Sequence, residues 1–290
     1  MSTLESGFSP SSPPRSTASE GKEIEVGKVG AANSGVNGGF GQSLIERLDP
    51  VTCAFFFDVD GTLVDIADHP DAIIVSPELR DNLSALQDRA AGALALVSGR
   101  SIEGLDRVFD PLRLPCSGIH GAQIRTAANA GITSAAPLLP DDLREQLRKI
   151  ADDLDGVMAE DKGASIAMHF RHAPECGPLL ELMLRALVDA RSEHLAILPG
   201  RMVFEVKHAG HDKGMGVRAF MEHMPFAGRT PVFLGDDVTD QAGFAAVSAL
   251  GGIAVSVGRR FPGVDAVLPE PADVRALIAS LAANPIERRN

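Results

Sequence analysis

The chain has 290 residues, 44% of them hydrophobic, enough for one large unit or two modest ones with a sizeable core. Against 39 acidic residues it sets 27 lysines and arginines, a formal net charge of −12, which excludes a broad nucleic-acid footprint but not a local basic pocket. No apolar run reaches the ~18 residues of a membrane span, and the first residues lack the basic and apolar regions of a signal peptide.

In chain order, residues 1–42 come first. They are rich in Ser, Pro and Gly with few large apolar groups, so burial cannot offset the entropy of ordering them, and a disordered tail is expected. From Ser43 the pattern becomes globular. "AFFF" (54–57), "ALALV" (93–97), "PVFLG" (231–235) and "IAVSV" (253–257) are short apolar runs bounded by small or acidic residues, as in strands of a parallel sheet covered on both faces. Ser76 and Pro77 make an N-cap and first-turn pair for a helix carrying Leu79, Leu83 and Leu86. Asp212 is placed to cap a second helix through Val217 and Phe220. The alternation predicts an α/β fold with a doubly wound, mainly parallel, Rossmann-like core sheet.

The middle of the chain follows another rule. Leu143, Leu147, Ile150 and Leu154 form one helical stripe, and Leu179, Leu182, Met183, Ala186 and Leu187 a second. In "ASIAMHFR", Ala164, Ile166, Met168 and Phe170 share one face while Ser165, His169 and Arg171 share the other. "MVFEVK" alternates in the same way, with Glu205 and Lys207 on the polar side. These segments predict an antiparallel sheet with one covered and one open face. Residues 127–207 therefore read as an α+β cap inserted into a catalytic core made of residues 43–126 and 208–290. Hinges are expected near Thr126–Gly131 and Lys207–Gly210. Cys53, Cys116 and Cys176 form no CxxC pair, which fits buried thiols in a reducing, cytoplasmic setting.

The chemistry concentrates at strand ends. In "FFFDVDGTLVD", a buried strand runs into Asp58 and Asp60, two carboxylates that would repel each other. A hard divalent cation would justify both, as would an acid/base pair; a lone acidic turn would need neither. Ser98 follows the strand at 93–97, Asp236, Asp237 and Asp240 follow the one at 231–235, and Lys213 starts a helix. Three apolar strands each ending at once in small or acidic polar groups argue for a site, because ligands bind beyond the carboxyl ends of open parallel sheets. The eight histidines show no Cys–His ligand spacing, which argues against zinc.

The motif set Asp58-Val-Asp60-Gly-Thr62, Ser98, Lys213 and Asp236-Asp237 resembles the haloacid-dehalogenase-like phosphatases. That resemblance implies phosphoryl transfer through an aspartyl-phosphate on Asp58, with Asp60 as acid and then base. It implies that Ser98 and Lys213 hold the phosphoryl oxygens, and that Mg²⁺ is bound by Asp58, the Asp60 main-chain oxygen and Asp236. Thr62, Asp237 and Asp240 would stand behind these groups, orienting waters or Lys213. Asp58 and Ser98 lie 40 residues apart, too few for a cap, whereas Ser98 and Lys213 lie 115 apart. That is the layout of members with a cap after the second motif. "SGIHGAQIR", "KGASIAMHFRHAP" and "GRTPVFLGDDVTDQAGF" further resemble the trehalose-6-phosphate phosphatase family. By that match Glu160, Lys162 and Glu205 bind sugar hydroxyls, His169 and Arg171 sit on the matching cap strand, and Gly99, Arg100, His120 and Gly121 line the core side of the cleft.

Two residues depart from the family pattern: Gln241 and Gln123 stand where Glu is usual, swaps that keep size and lose a charge, so activity is expected to survive with a change in pocket electrostatics or substrate tolerance. The implied partner is a small-molecule sugar phosphate, with no nucleic acid or membrane and a functional link to a trehalose-phosphate synthase. Alternatives are a related phosphatase, such as one for sucrose phosphate, and a non-catalytic phosphate-sensing module. Asp58, Asp60 and a cap, all present here, weigh against the second.

Overall fold

The structure is a computed structural model that describes Ser43, residues 47–66 and residues 73–283. The expected N-terminal tail lies outside the described residues. In chain order the elements are β1 (Cys53–Phe57), α1 (Pro77–Arg89), β2 (Leu94–Val97), α2 (Ile102–Phe109), β3 (Cys116–Gly118), β4 (Gln123–Arg125) and β5 (Thr133–Ser134). Then come α3 (Asp141–Asp152), β6 (Met158–Asp161), β7 (Ser165–His169), α4 (Gly177–Asp189), β8 (Leu195–Gly200) and β9 (Val203–His208). The chain closes with α5 (Lys213–Met221), β10 (Thr230–Gly235), α6 (Gln241–Ala249), β11 (Ile253–Val257), β12 (Ala266–Leu268) and α7 (Pro271–Ala283).

Two sheets organise these elements. The larger has the order β12-β11-β10-β1-β2-β3-β4-β5, parallel from β12 to β3 and antiparallel beyond. Its central strand β1 is apolar throughout because both of its faces are packed. Phe55 and Phe57 stack on each other on one side, and Phe56 meets Phe220 and Phe226 on the other. The order reverses around β1, so the ends of β1, β2 and β10 open on one crevice, where "DVDGT", "SGR" and "GDD" begin.

The smaller sheet, β6-β7-β9-β8, is antiparallel. Ile166, Met168, Phe204 and Val206 turn to a second core with Leu143, Leu147, Leu180 and Leu184. The opposite face carries Ser165, Ala167, His169, Val203 and Glu205, as the alternation predicts. Pro199 lies in β8, an edge strand, where a missing N–H breaks no central ladder.

Three expectations need correction. The buried side of α4 is Leu180 and Leu184, with Leu187 packed beside them, whereas Leu179 and Leu182 are exposed. This helix is apolar nearly all round, so periodicity alone does not select the inward stripe. Thr126–Gly131 is not a hinge but the connection of the β4–β5 hairpin in the larger sheet, so the expected boundary at residue 126 falls inside that hairpin. The chain leaves this sheet only after Ser134. Cys53 and Cys116 are buried as expected, but Cys176 is half-buried.

Ser76 caps α1 as its sequence predicts, its Oγ accepting the Leu79 N–H at 3.1 Å. Ser76→Ala is expected to cost about 1 kcal/mol. The measurement is a urea transition with a lower midpoint and an unchanged slope.

Candidate active site

Lys213, the first residue of α5, is held by a cap: Asp212 Oδ1 accepts the Met215 N–H at 2.7 Å. Its buried ammonium donates to Asp58 Oδ1 at 2.7 Å and to Asp240 Oδ1 at 2.6 Å. The other Asp240 oxygen accepts the main-chain N–H groups of Asp236 and Asp237, each at 2.9 Å. Asp240 therefore uses both oxygens: it folds the loop after β10 and fixes the lysine. Thr62 Oγ1 lies between Asp58 Oδ2 at 3.5 Å and Asp236 Oδ1 at 3.4 Å. Gly61 makes this approach possible. Its φ is +85°, and an added Cβ would lie 2.2 Å from Asp236 Oδ2.

The carboxylates of Asp58, Asp236 and Asp240 come within 4.8 Å of one another. Burial pushes the Asp236 carboxyl up to about 7, with Asp240 and Asp237 adding to the rise and Lys213 opposing it. Burial also pushes Asp58 up, helped by Asp240 and Asp236 and opposed by Lys213. For Lys213 burial works against the charge, but Asp240 and Asp58 outweigh it and raise its pKa. Two carboxylates on one ammonium, both at close contact, support the charged lysine. One lysine does not balance the local negative charge. Hard oxygen donors with surplus charge fit a divalent cation such as Mg²⁺, with Asp58 and Asp236 as the side chains still able to ligate it.

Ser98 is buried after β2, its Oγ accepting the Arg100 N–H at 3.2 Å. Arg100 grips Asp60 with two parallel hydrogen bonds, Nε to Oδ2 at 2.7 Å and Nη2 to Oδ1 at 2.8 Å. The second sheet supplies the opposite wall. Glu205 on β9 accepts from Ser165 Oγ at 2.5 Å, lies 3.0 Å from His120 Nε2 and receives Lys162 Nζ at 3.4 Å. Lys162 also donates to the Gly99 carbonyl at 3.0 Å, and Glu160 Oε2 lies 3.0 Å from His169 Nε2. Burial alone would raise Glu205, but Lys162, His120 and Ser165 together hold it well below the ordinary carboxylate range. Burial lowers His120, outweighing the pull of Glu205, so its imidazole is neutral. A carboxylate only accepts, so Nε2 carries the hydrogen.

Asp58, Asp60, Ser98, Gly99, Arg100, His120, Lys213 and Asp236 thus share one cleft with Glu160, Lys162, His169, Arg171 and Glu205. One residue expected in the cleft falls outside that arrangement. Gly121 does not line the cleft, because it packs behind His120 against the Asp212 carbonyl. Asp237 lines the cleft, where its Oδ1 accepts from Arg259 Nη2 at 3.2 Å. Ser165 was missed as a site residue, although its place on the polar face of "SIAMH" was the available signal. Arg201, at the β8–β9 turn, also lines the cleft and has no signal in the periodicity.

Comparison with known proteins bears on this geometry. The family model described as Trehalose-phosphatase matches residues 56–262. The chain belongs to the trehalose-phosphatase family. It is 40% identical over 206 residues to the trehalose-6-phosphate phosphatase of Escherichia coli K12, covering 71% of this chain and 77% of that protein. It is 38% identical over 231 residues to a probable trehalose-phosphate phosphatase of Sinorhizobium fredii, covering 79% and 87%. The C-terminal domain of Candida albicans trehalose-6-phosphate phosphatase shares the fold, at a TM-score of 0.72, 22% identity and 83% and 94% coverage. A Candida albicans trehalose synthase regulatory protein C-terminal domain shares it too, at TM-score 0.60, 11% identity and 82% and 97% coverage.

The two departures from the trehalose-phosphatase pattern now have places. Gln123 Oε1 accepts the Ile102 N–H at 2.9 Å, tying β4 to the start of α2. Its role there is structural, and the amide keeps the acceptor that a carboxylate would offer. Gln241 is exposed at the start of α6 and does not line the cleft. Neither amide lines the cleft.

Gly61→Ala is expected to lower kcat/KM about 100-fold or more by displacing Asp236, while circular dichroism stays unchanged. A second outcome follows from Glu205. Its folded-state pKa lies below the unfolded one, so its contribution is complete above about pH 4.5 and is lost as pH falls further. Glu205→Gln should cost about 2 kcal/mol at pH 7. Calorimetry from pH 7 to 3.5 should show the gap in Tm to the parent protein closing at the acid end.

Proposed function

We propose that this chain hydrolyses trehalose 6-phosphate to trehalose and inorganic phosphate with Mg²⁺ as cofactor. The observation that carries the proposal is one cleft with Asp58, Ser98 and Lys213 on one wall and Glu160, Lys162 and Glu205 on the other. The first wall matches the chemistry of a phosphoryl group. The second offers acceptors and donors for sugar hydroxyls. On this reading residues around the second sheet form a cap over a catalytic core, and the 38–40% identical relatives named above support the substrate class.

In the proposed mechanism a carboxylate oxygen of Asp58 attacks phosphorus, forming an aspartyl-phosphate as the bond to the sugar oxygen breaks. Asp60 gives its proton to that oxygen and then takes one from the water that cleaves the aspartyl-phosphate, restoring both acids. Asp60 has to leave the grip of Arg100 and take up a proton from water before the first step, and it ends the cycle with the proton it takes from the hydrolytic water. Ser98 and Lys213 hold the phosphoryl oxygens, and Asp240 keeps Lys213 aimed. Asp58, the Asp60 main-chain oxygen and Asp236 would hold Mg²⁺, which would supply positive charge against the phosphoryl oxygens. The unpaired cysteines fit a cytoplasmic setting, where a trehalose-phosphate synthase would supply the substrate.

The test is phosphate release from a panel of sugar phosphates, with Mg²⁺ and with EDTA, using Asp58→Asn as control. Release favouring trehalose 6-phosphate, abolished by EDTA and by the substitution, is expected. Preference for another sugar phosphate would overturn the assignment of the second wall, and no release from any would overturn the catalytic reading.

A further inference from the structure

The turn Ile119–His120–Gly121 has left-handed backbone at all three positions, with φ of 47°, 49° and 95°. Glycine adopts this readily; a β-branched isoleucine and a histidine do not, so the turn is strained and needs support from its surroundings. That support comes from both phosphate-side segments. The Ile119 N–H donates to the Arg100 carbonyl at 2.9 Å, and the His120 N–H to the Ser98 carbonyl at 3.1 Å. Gly121 lies so close to Asp212, the cap of α5, that an added Cβ would meet its carbonyl at 2.4 Å. One short turn therefore touches the loop bearing Ser98 and the residue before Lys213.

The side chain it carries points the other way. His120 is 6% exposed, and its Nε2 is committed to Glu205 across the cleft. Its Nδ1 is buried without a partner. Gly99 leaves the space for the ring: a Cβ there would sit 2.5 Å from Nε2. The Ser98–Arg100 loop is held from the second sheet as well, by Lys162 on the Gly99 carbonyl.

We propose that His120 is a positioning residue that couples the sugar wall to the phosphate wall: it orients Glu205 and, through its strained turn, transmits the occupancy of Glu205 to Ser98 and Lys213. It does not itself bind sugar. This inference rests on the reading of the cleft as a sugar-phosphate site. It predicts that sugar recognition is expressed in turnover, beyond affinity, because contacts made on one wall align groups on the other.

The experiment measures kcat and KM for trehalose 6-phosphate, with inorganic phosphate as competing product, in His120→Ala, His120→Gln, Glu205→Ala and the double variant His120→Ala/Glu205→Ala. His120→Ala should lower kcat between about 10- and 100-fold, with KM changed less than about threefold. The inhibition constant of phosphate should stay within about twofold, which also reports a folded phosphate site. His120→Gln keeps an N–H donor at similar reach and should retain most of the turnover. The double variant should be no slower than Glu205→Ala. A rise in KM alone, a strictly additive double variant, or a weakened phosphate constant would each overturn the coupling. Failure of the unsubstituted protein to hydrolyse trehalose 6-phosphate would instead overturn the underlying substrate reading.

Discussion

One buried ammonium organises the phosphate side of this molecule. Lys213 bridges Asp58 at the end of β1 and Asp240 in the loop after β10. Removing three such charges from water is costly, and the cost is offset only because each finds close partners. Asp240 spends its second oxygen on two main-chain N–H groups, so the loop carrying Asp236 is shaped by the same group that restrains the lysine. Gly61 lets that loop come close to the DxDGT turn. The geometry of Asp58, the acidic loop and the helix start is thus one electrostatic arrangement.

The second wall is built on the same logic with weaker charge. Glu205 is buried, and it stays ionised because a lysine, a hydroxyl and an imidazole N–H all face it. Those donors come from both sheets, so no single sheet can form the site. On the proposed reading, carboxylates already satisfied by protein donors exchange them for ligand hydroxyls. Such exchange costs little when the new donors match the old ones in number and direction.

Much of this was legible in the sequence. The four core strands were visible as apolar runs, since a parallel sheet covered on both faces leaves no polar alternation to confuse. The open face of β7 and β9 was visible for the opposite reason. The caps at Ser76 and Asp212 were readable because capping is local. Other features were not. The inward face of α4 is decided by what packs against it, as Leu179 and Leu182 show by pointing outward. The β4–β5 hairpin is short and weakly patterned. The grip of Arg100 on Asp60 joins residues 40 apart and leaves no periodic trace. The left-handed turn at Ile119 and His120 was hidden because neither residue advertises that backbone.

The strand order has a further consequence for how the molecule is made. β1 pairs along its whole length with β10, Cys53 lying opposite Thr230 and Phe57 opposite Leu234. Every element of the smaller sheet is synthesised between these two partners. A chain emerging from the ribosome therefore carries Asp58 long before Lys213, Asp236 and Asp240 exist to face it. Contacts of such wide sequence separation form late and slowly. A chain stopped short of β10 would expose one edge of β1 and lack Asp240, the acid that holds Lys213 beside Asp58. Catalytic competence arrives only once β10 and the acidic loop after it have been made.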